Sequence, residues 1–474
     1  MDKTYQRLLV TSIIIGLLIA LWGLGAISLT SLNEGRRALA IKEMFASGNL
    51  LLPTLNGELY ITKPPLLYWI SIGISSLVGA VNEWTIRLPS ALAALATLWM
   101  TYRYTLKRFG AWPALFSTQI LMANLGFAML ARRAEIEMLL TALCVGALFS
   151  ALEYIEQPMK RSWIYLSYFL LALAVLTKGP VALLFVTLPL IVAAIWTKDP
   201  DIKKALTDIK AWAIFFVVAL SWYLLVSLQL GFDIWAIIAK RDMLGKIQAE
   251  DSAKPLLSYL GWITVDFLLL VGLMFVRPRA LFKSFSGRRD WIMLVTAAAV
   301  PLLVFSLFSN KHAKYLLPIY PIIAIMLGLQ LTRIFDSAST KIRTSIVTLG
   351  ILLPLVLACF YMFAETRVFS YRTSAFSQFH EWDESIKAST LYTYGKTDSR
   401  LIYYAKIPIK NLEKNSLEQM LADKKSFFVL VEDDESSKIS TLASCKAKEF
   451  KPYLKNNKSL IAFGFGDVCS NINE

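Results

Sequence analysis

Apolar residues form runs along the whole chain, each close to the roughly 20 residues that a membrane-spanning helix needs. The runs cover residues 8–28, 66–80, 86–102, 112–130, 136–155, 163–177, 181–196, 211–230, 257–276, 290–308, 315–332 and 344–363. The second run is short for a crossing. The first is too long for the core of a signal peptide, so we expect an uncleaved helix there. The pattern predicts a polytopic membrane protein.

The basic residues of the turns predict the orientation of the helices, because Lys and Arg are enriched in cytoplasmic loops. The cytoplasmic groups are Lys3 and Arg7; Arg103, Lys107 and Arg108; Lys160 and Arg161; Lys198, Lys203, Lys204 and Lys210; Arg277, Arg279, Lys283, Arg288 and Arg289; and Arg333, Lys341 and Arg343. They place the N-terminus inside and the segment after Glu365 outside. We therefore predict an odd number of crossings, 11 to 13.

Composition supports a membrane protein. Of the 474 residues, 56% are hydrophobic and 18% charged, and the mean hydropathy is +0.54, which is too apolar for a set of soluble domains. The formal net charge is +15. Because these cations lie in short turns rather than on one basic face, we predict no nucleic-acid partner.

Two polar segments divide the chain. Residues 29–63 contain an amphipathic stretch suited to short helices on the membrane surface, and we predict a site at this outer interface. Residues 366–474 have a soluble composition, with strand-like runs Phe427–Val431 and Leu460–Phe465 and a helix Ser416–Lys424. We predict a membrane domain over 1–365, with 29–63 as its first outer loop, and a small outer α/β domain over 366–474.

Cysteine and histidine are scarce. Cys144 and Cys359 lie in apolar runs, whereas Cys445 and Cys469 lie in the polar tail and could pair if it faces an oxidising compartment. With two histidines and no Cys/His cluster, a structural zinc site is not expected.

Many cations at the predicted outer helix ends are not explained by topology. They are Arg36, Arg37, Lys42, Lys63, Arg87, Arg132, Arg133, Lys178, Lys240, Arg241, Lys246, Lys254, Lys311 and Lys314. Charges at this depth usually pair, line a cavity or bind a charged ligand. Together they favour an anionic ligand such as a lipid phosphate. The alternative is that single members reach lipid headgroups or pair with nearby acids.

The acids suggest a general base. Glu34 follows the first helix beside Arg36 and Arg37, where neighbouring cations favour its ionised form and it could accept a proton from an acceptor hydroxyl. A structural ion pair is the alternative. Glu135 and Glu137 open a helix, where the helix dipole alone would explain them.

Lysines at helix ends are the next candidates. Lys63 precedes Pro64-Pro65, which fixes it at a helix start, with Tyr60, Tyr68 and Trp69 at headgroup depth. Lys178 lies in a Leu-Thr-Lys-Gly-Pro break between two apolar runs, where a plain turn is the alternative. Lys311, His312, Lys314 and Tyr315 cap another outer end, where His312 could donate to an anion or be structural.

In order along the chain, these motifs resemble a known family. The matching strings are Asn33-Glu34-Gly35-Arg36, Leu55-Asn56-Gly57-Glu58, Lys63 to Trp69, Arg87-Leu88-Pro89-Ser90, Ala131 to Leu140, Leu176 to Pro180 and Lys311 to Pro321. Over about residues 8–330 the chain is similar to bacterial aminoarabinose-transferase-like and protein mannosyltransferase-like membrane glycosyltransferases.

The resemblance implies an all-α GT-C fold with interfacial helices in the first periplasmic loop. It also implies a donor sugar on a polyprenyl phosphate, typically undecaprenyl phosphate, and inverting transfer to a lipid or protein acceptor on the periplasmic side of the bacterial inner membrane. Lipid A or lipopolysaccharide is the expected acceptor. No metal or other cofactor is implied. The absence of a Gly-rich phosphate loop fits a donor that carries no nucleotide.

The resemblance also assigns residues. Many relatives have Asp-Glu where this chain has Asn33-Glu34, so the base role passes to Glu34, and a second family acid matches Glu137. Lys63 matches the lysine that engages the donor phosphate. The other expected phosphate-binding residues are Arg36, Lys178, Arg241, Lys311 and Lys314. The expected pocket residues are Tyr60, Tyr68, His312 and Tyr315. The tail either recognises the acceptor or covers the site.

Three alternatives remain from sequence. A protein O-glycosyltransferase differs only in its acceptor. A flippase for an anionic lipid-linked sugar would use the same cations, but would show repeated halves and paired broken helices, which the sequence does not reveal. A structural assembly subunit would leave Glu34 and Lys63 without a role.

Overall fold

The computed structural model describes residues 3–238, 240, 254–276, 289–386, 391–394, 398–405, 408–412, 414–423, 425–451 and 459–472. Arg241, predicted to bind the donor phosphate, lies outside the described residues. The chain forms two compact units. The first comprises residues 1–22, 62–70 and 87–360, and the second comprises residues 23–61, 71–86 and 361–474. The predicted division at residue 365 stays a prediction.

The first half of the chain is helical apart from one short hairpin. Its elements are α1 (Lys3–Leu21), α2 (Leu32–Ser47), β1 (Thr54–Leu55), β2 (Glu58–Leu59), α3 (Leu66–Val78), α4 (Glu83–Phe109), α5 (Ala111–Met122), α6 (Leu125–Ala131), α7 (Ile136–Glu156), α8 (Ser162–Lys178), α9 (Thr187–Thr197), α10 (Pro200–Thr207) and α11 (Ile209–Leu230). A 3₁₀ turn, Pro180–Leu184, precedes α9.

The second half adds further long helices and then a mixed sheet. Its elements are α12 (Ser258–Asp266), α13 (Arg289–Ser306), α14 (Tyr320–Ser337), α15 (Thr340–Cys359), α16 (Glu365–Ser385), β3 (Leu391–Tyr394), α17 (Ser399–Tyr404), β4 (Ile409–Leu412), α18 (Lys414–Ala422), β5 (Phe427–Glu432), α19 (Ser436–Ser440), β6 (Cys445–Phe450) and β7 (Leu460–Phe465). A 3₁₀ helix, Ala313–Ile319, leads into α14.

The predicted polytopic fold is confirmed. Among the described residues, seven helices are long and apolar enough to cross a membrane, or eight if one bent pair counts as a span. The apolar helices α3 and α8 are shorter than a full crossing. Their lengths, 13 and 17 residues, leave the number of crossings open. The count of 11 to 13 stays a prediction.

Two predicted continuous helices are broken. The run 112–130 divides into α5 and α6, which meet at 69°, because Asn124 caps the second helix by accepting a hydrogen bond from the Phe127 amide at 2.8 Å. The run 257–276 ends its α-helix at Asp266, and Leu268 and Leu269 then adopt positive φ values of 51° and 64°. Such φ values are unfavourable for Leu and interrupt a helix.

Close helix packing in the first unit depends on a glycine at one point. A Cβ on Gly328 in α14 would lie 2.8 Å from the amide nitrogen of Ser117 and 3.0 Å from the carbonyl oxygen of Pro113, both in α5. These distances are shorter than a side chain tolerates, so glycine is what lets α14 approach α5.

The tail contains a five-stranded sheet in the order β4-β3-β5-β7-β6. Strand β3 pairs in parallel with β4 and β5, whereas β7 pairs antiparallel with β5 and β6. The predicted strands at 427 and 460 are confirmed, and the predicted helix begins two residues earlier, at Lys414. Cys445 and Cys469 are joined by a disulfide.

Candidate active site

An ion-pair cluster in the first unit joins four of the charged residues that topology left unexplained. The ammonium of Lys178 lies 3.2 Å from Oε1 of Glu137. The ammonium of Lys314 lies 3.1 Å from Oε2 of Glu135 and 3.7 Å from Oε1 of Glu137. Three helix ends therefore meet at one cluster: the start of α7, the end of α8 and the 3₁₀ helix before α14.

Local sequence signals place these side chains. Glu135 is the N-cap residue of α7, so both acids fall at the positive end of that helix dipole. Gly179, with φ of +83°, ends α8 immediately after Lys178. Glu135 and Glu137 are buried, whereas the two lysine side chains are 15% and 20% exposed. The two carboxylates thus lie on the buried side of the cluster, and the two ammonium groups lie on its more exposed side.

Two aromatic rings border the cluster. The Lys178 ammonium lies 4.5 Å from the centroid of the Tyr315 ring, a cation–π distance. The His312 ring packs edge-on against Tyr315 at 5.0 Å. Partial burial, together with the ammonium groups of Lys254 and Lys314, lowers the pKa of His312. Neutral His312 can donate a hydrogen bond without adding charge.

A second pair of lysines adjoins these residues. The ammonium of Lys254 donates to the Lys311 carbonyl at 3.0 Å, and that of Lys311 donates to the Lys254 carbonyl at 3.0 Å. Lys254 also lies 5.0 Å from the Trp262 ring centroid. Lys311 directly precedes His312 in the chain, and Lys254 exchanges hydrogen bonds with Lys311, so the lysine pair lies beside His312. Among the residues that the structure describes here, four lysines stand against two glutamates, which gives this part of the site a net positive charge.

Lys63 and Tyr68 also lie in the first unit. The Lys63 ammonium donates to the carbonyl of Thr62 at 3.2 Å. Tyr68 is buried in the first turn of α3. The position of Lys63 just before α3 agrees with the prediction that Pro64-Pro65 fixes it at a helix start.

The other predicted residues, Asn33, Glu34, Arg36 and Tyr60, lie in the second unit. Asn33 and Arg36 are half-buried in α2, and Tyr60 is half-buried after β2. Glu34 is fully buried. Its Oε2 accepts hydrogen bonds from the amide and the hydroxyl of Thr30 at 2.8 and 3.3 Å, and its own amide donates to Oγ of Ser31 at 3.0 Å.

This arrangement at the start of α2 is close to a capping box, in which Ser at the N-cap and Glu three residues later satisfy each other's backbone groups. From the sequence, an ion pair is the structural alternative for Glu34. The structure gives it a capping role as well, which Ser31-x-x-Glu34 signals in the sequence. Its role as a base stays a prediction.

One of the outer cations, Arg132, makes a contact within the fold. Arg132, grouped with cations that suggest an anionic ligand, is buried and donates to the Ile19 carbonyl at 2.8 Å, which is a structural contact. Among the described residues, no three His, Cys, Asp or Glu side chains come together in a way that could hold a metal ion. The absence of a metal or cofactor stays a prediction.

Comparison with known families supports a glycosyltransferase. The sequence model of the dolichyl-phosphate-mannose-protein mannosyltransferases matches residues 62–224, and that of the Alg9-like mannosyltransferase family matches residues 254–392. These two matches lie in different parts of the chain, and both families are mannosyltransferases.

Two individual relatives are similar to about two thirds or more of the chain. An undecaprenyl phosphate-α-4-amino-4-deoxy-L-arabinose arabinosyl transferase of Shewanella sediminis is 27% identical over 359 residues, covering 72% of this chain and 63% of the relative. An uncharacterised protein of Aquifex aeolicus is 28% identical over 317 residues, covering 66% of this chain and 70% of its own length. The chain thus spans under two thirds of the arabinosyl transferase.

Solved structures share the fold. ArnT from Cupriavidus metallidurans bound to undecaprenyl phosphate superposes with a TM-score of 0.80 at 17% identity, covering 96% of this chain and 97% of that one. The Archaeoglobus fulgidus oligosaccharyltransferase superposes with a TM-score of 0.59 at 11% identity, covering 92% of this chain and 70% of that one. The predicted resemblance and the glycosyltransferase class are confirmed.

Proposed function

From the premise that this chain is a membrane glycosyltransferase of the GT-C fold, related to the aminoarabinose transferases, we propose that it transfers a sugar from a polyprenyl phosphate to a lipid acceptor. Undecaprenyl phosphate is the proposed carrier, and lipid A or another lipopolysaccharide lipid is the proposed acceptor. This follows the named activity of the arabinosyl transferases with which the chain aligns.

One observation carries the proposal: the ion-pair cluster of Lys178 and Lys314 with Glu135 and Glu137, beside which the described chain places the further lysine pair Lys254 and Lys311. A sugar phosphodiester is an anion whose charge grows on the leaving oxygen as the glycosidic bond breaks. Ammonium groups fixed in a poorly hydrated site stabilise that charge without reorganising. Lys63, Arg36 and Arg241 stay members of the phosphate-binding set that the sequence predicts.

The proposed reaction is a single displacement. The acceptor oxygen attacks the anomeric carbon, the bond from that carbon to the phosphate oxygen breaks, and its electron pair leaves with the phosphate. The proton of the acceptor hydroxyl goes to a carboxylate, and the sugar carbon inverts. We assign the carboxylate to Glu34 or Glu137. Asn33 directly precedes Glu34 and stands where many relatives have Asp. His312, Tyr68 and Tyr315 of the first unit are the proposed residues of the sugar pocket, and Tyr60 of the second unit stays a sequence prediction.

The proposed reaction needs no metal and no other cofactor, because the lysines supply the positive charge that a cation would otherwise bring to the phosphate. Its partners are the lipid-linked sugar, the acceptor and the bilayer. The protein is a multi-pass membrane protein, and we place it in the bacterial inner membrane with the N-terminus in the cytoplasm and the tail in the periplasm. Arginine and lysine in the short turns support this orientation.

A protein acceptor is the second candidate. The match of residues 62–224 to protein mannosyltransferases favours it specifically. The two candidates share donor chemistry and differ in the molecule that gains mass.

The test is mass spectrometry of lipid A, whole lipopolysaccharide and envelope proteins from cells that contain or lack the gene. Loss of a sugar mass from lipid A on deletion supports the first candidate, and loss from a protein supports the second. Redistribution of lipid-linked sugar between leaflets with no change in any glycan mass would contradict both and favour a flippase.

Glu34→Gln separates the catalytic and capping roles of Glu34. The amide oxygen of Gln still accepts the Thr30 hydrogen bonds, but it cannot take the acceptor proton. If Glu34 is the base, activity falls by about 10²- to 10⁴-fold. Glu43→Gln is the matched control, since Glu43 lies in the same helix and accepts from the amides of Asn56 and Gly57. Unchanged activity in Glu34→Gln would rule out Glu34 as the base and leave Glu137 as the remaining proposed base.

A further inference from the structure

The second unit holds a buried contact between the tail and the first loop that the proposed function does not yet use. Arg400, in α17, lies against the start of α2. Its guanidinium donates to both carboxylate oxygens of Asp398, through Nε at 3.1 and 3.2 Å and through Nη2 at 2.7 Å. Both side chains are buried, and a planar guanidinium suits such a two-point contact.

The remaining Arg400 nitrogen reaches the first loop. Its Nη1 donates to the carbonyl oxygen of Thr30 at 3.1 Å. Thr30 in turn donates through its amide and its hydroxyl to Glu34. A chain of hydrogen bonds therefore runs from Asp398 through Arg400 and Thr30 to the Glu34 carboxylate.

Neighbouring contacts fix the same two segments. The Tyr404 hydroxyl accepts from the Leu29 amide at 2.9 Å and donates to Glu83 at 2.6 Å. Burial and the Glu83 carboxylate raise the Tyr404 pKa, so its hydroxyl stays protonated. The Lys42 ammonium donates to the Tyr403 carbonyl at 2.7 Å.

The sequence of α2 accommodates this approach. A Cβ at Gly35 would clash with the Arg400 side chain and would lie 3.1 Å from the Arg400 amide nitrogen and 3.4 Å from its Cα. Only a residue without a side chain allows α17 to come this close. Gly35 directly follows Glu34, so the contact falls at the proposed base itself.

We infer that Arg400 is a positioning residue, which holds Thr30 and thereby the Asn33–Glu34 segment in the geometry that transfer requires. The inference rests on the proposed function, in which the first turn of α2 borders the reaction. It also gives the tail a function, because α17 clamps the first loop. Arg400 touches neither donor nor acceptor in this role.

Arg400→Lys tests the clamp. Lys keeps the positive charge beside Asp398, but its single nitrogen cannot serve both Asp398 and the Thr30 carbonyl. Gly35→Ala disturbs the same contact from the α2 side without changing any charge. Val429→Ala is the matched control, because it removes buried volume from β5 in the same unit without touching the loop.

Two measurements on the full-length protein in nanodiscs are compared. Amide hydrogen exchange of residues 28–36 should rise by about tenfold or more in Arg400→Lys and Gly35→Ala, since the charged hydrogen bond to the half-buried Thr30 carbonyl is lost. In glycosyl transfer, kcat should fall by about 10- to 100-fold while the KM for the lipid-linked donor is unchanged. Val429→Ala should lower Tm but keep wild-type exchange at 28–36 and wild-type kcat.

The outcomes distinguish failure of the Arg400 positioning role from failure of the proposed glycosyl transfer. Wild-type exchange at 28–36 in both clamp variants would overturn the inference, as would an equal rise in Val429→Ala, and so would faster exchange with unchanged kcat. If the wild-type protein transfers sugar to no acceptor, the proposed function fails. The exchange comparison then still decides whether Arg400 holds the loop.

Discussion

Glu137 lies between two ammonium groups, and its neutralisation should both weaken the fold and strengthen anion binding. The perturbation is Glu137→Gln, which keeps the size of the side chain and removes its charge. The Lys178 ammonium then loses the contact with the Glu137 carboxylate at 3.2 Å, and the Lys314 ammonium keeps its contact with Glu135 at 3.1 Å.

The magnitude follows from the distances. At an effective dielectric constant of about 20, the contacts at 3.2 and 3.7 Å correspond to about 5 and about 4.5 kcal/mol before desolvation. Breaking a buried ion pair costs about 3–5 kcal/mol. Because the two lysine side chains are 15% and 20% exposed, water screens part of the effect. We expect a loss of about 2–3 kcal/mol in the free energy of unfolding.

The assay is thermal unfolding in nanodiscs, with and without undecaprenyl phosphate. Glu137→Gln should lower Tm without ligand, and undecaprenyl phosphate should raise Tm more in the variant than in the wild type, because the cluster has gained a unit of positive charge. Glu153→Gln is the control. It alters an ion pair with Arg108 at the opposite end of α7, so it should lower Tm without changing the ligand effect.

Two results would refute this reasoning. If Glu137→Gln has the wild-type Tm, the ion pairs do not stabilise the fold. If undecaprenyl phosphate stabilises the variant and the wild type equally, the cluster does not bind the phosphate.

Three further predictions concern other parts of the molecule. Gly328→Ala should cost about 1–3 kcal/mol of stability, because the added Cβ clashes with backbone atoms of α5. Gly261→Ala is the control and should be neutral or stabilising, since a Cβ at Gly261 has no atom within 4 Å. Equal Tm values for the two variants would contradict the packing argument. Because the pKa of His312 is lowered, its contribution to stability is present above its ordinary pKa of 6.5 and is lost as pH falls below that value. His312→Asn should flatten the dependence of Tm on pH below 6.5. An unchanged slope would contradict this role of His312. Hydrogen bonds from Lys446 and Lys451 lower the pKa of Glu449 from 4.5 to about 2, so the contribution of Glu449 to stability is present above pH 4.5 and is lost as pH falls towards 2. Lys446→Ala should reduce that acid-induced loss of stability in unfolding followed by circular dichroism. The same loss in both proteins would show that the Lys446–Glu449 pair does not contribute.

The membrane fold could be predicted because apolar runs are a one-dimensional signal. A helix that must satisfy its backbone inside lipid needs a long apolar stretch, and such stretches are visible in sequence. The breaks after Met122 and Asp266 could not be predicted in this way. A single Asn within an apolar run is compatible with both a continuous helix and a capped second one, and the choice depends on packing.

The site was predictable to the extent that its residues violate the pattern around them. Lys178 and Lys314 stood out as cations that topology does not explain, and Glu137 through the resemblance. Sequence could not show that Glu135 shares Lys314 with Glu137, or that Arg132 serves a backbone carbonyl, because both depend on helices distant in the chain.

The contribution of the tail was also hidden. Arg400 lies in a segment outside the family resemblance, and an Arg two residues after an Asp is common on protein surfaces. Only the approach of α17 to Gly35 reveals that this pair is buried against the first loop.

The most direct test of the central claim is sugar transfer by the purified protein in nanodiscs, supplied with lipid A and undecaprenyl phosphate-linked sugars. Mass spectrometry would follow donor and acceptor together. We predict that one donor is consumed with matching formation of undecaprenyl phosphate and glycosylated lipid A, and that Lys178→Met with Lys314→Met abolishes both. Consumption of no donor, or consumption that the double variant leaves unchanged, would contradict the account.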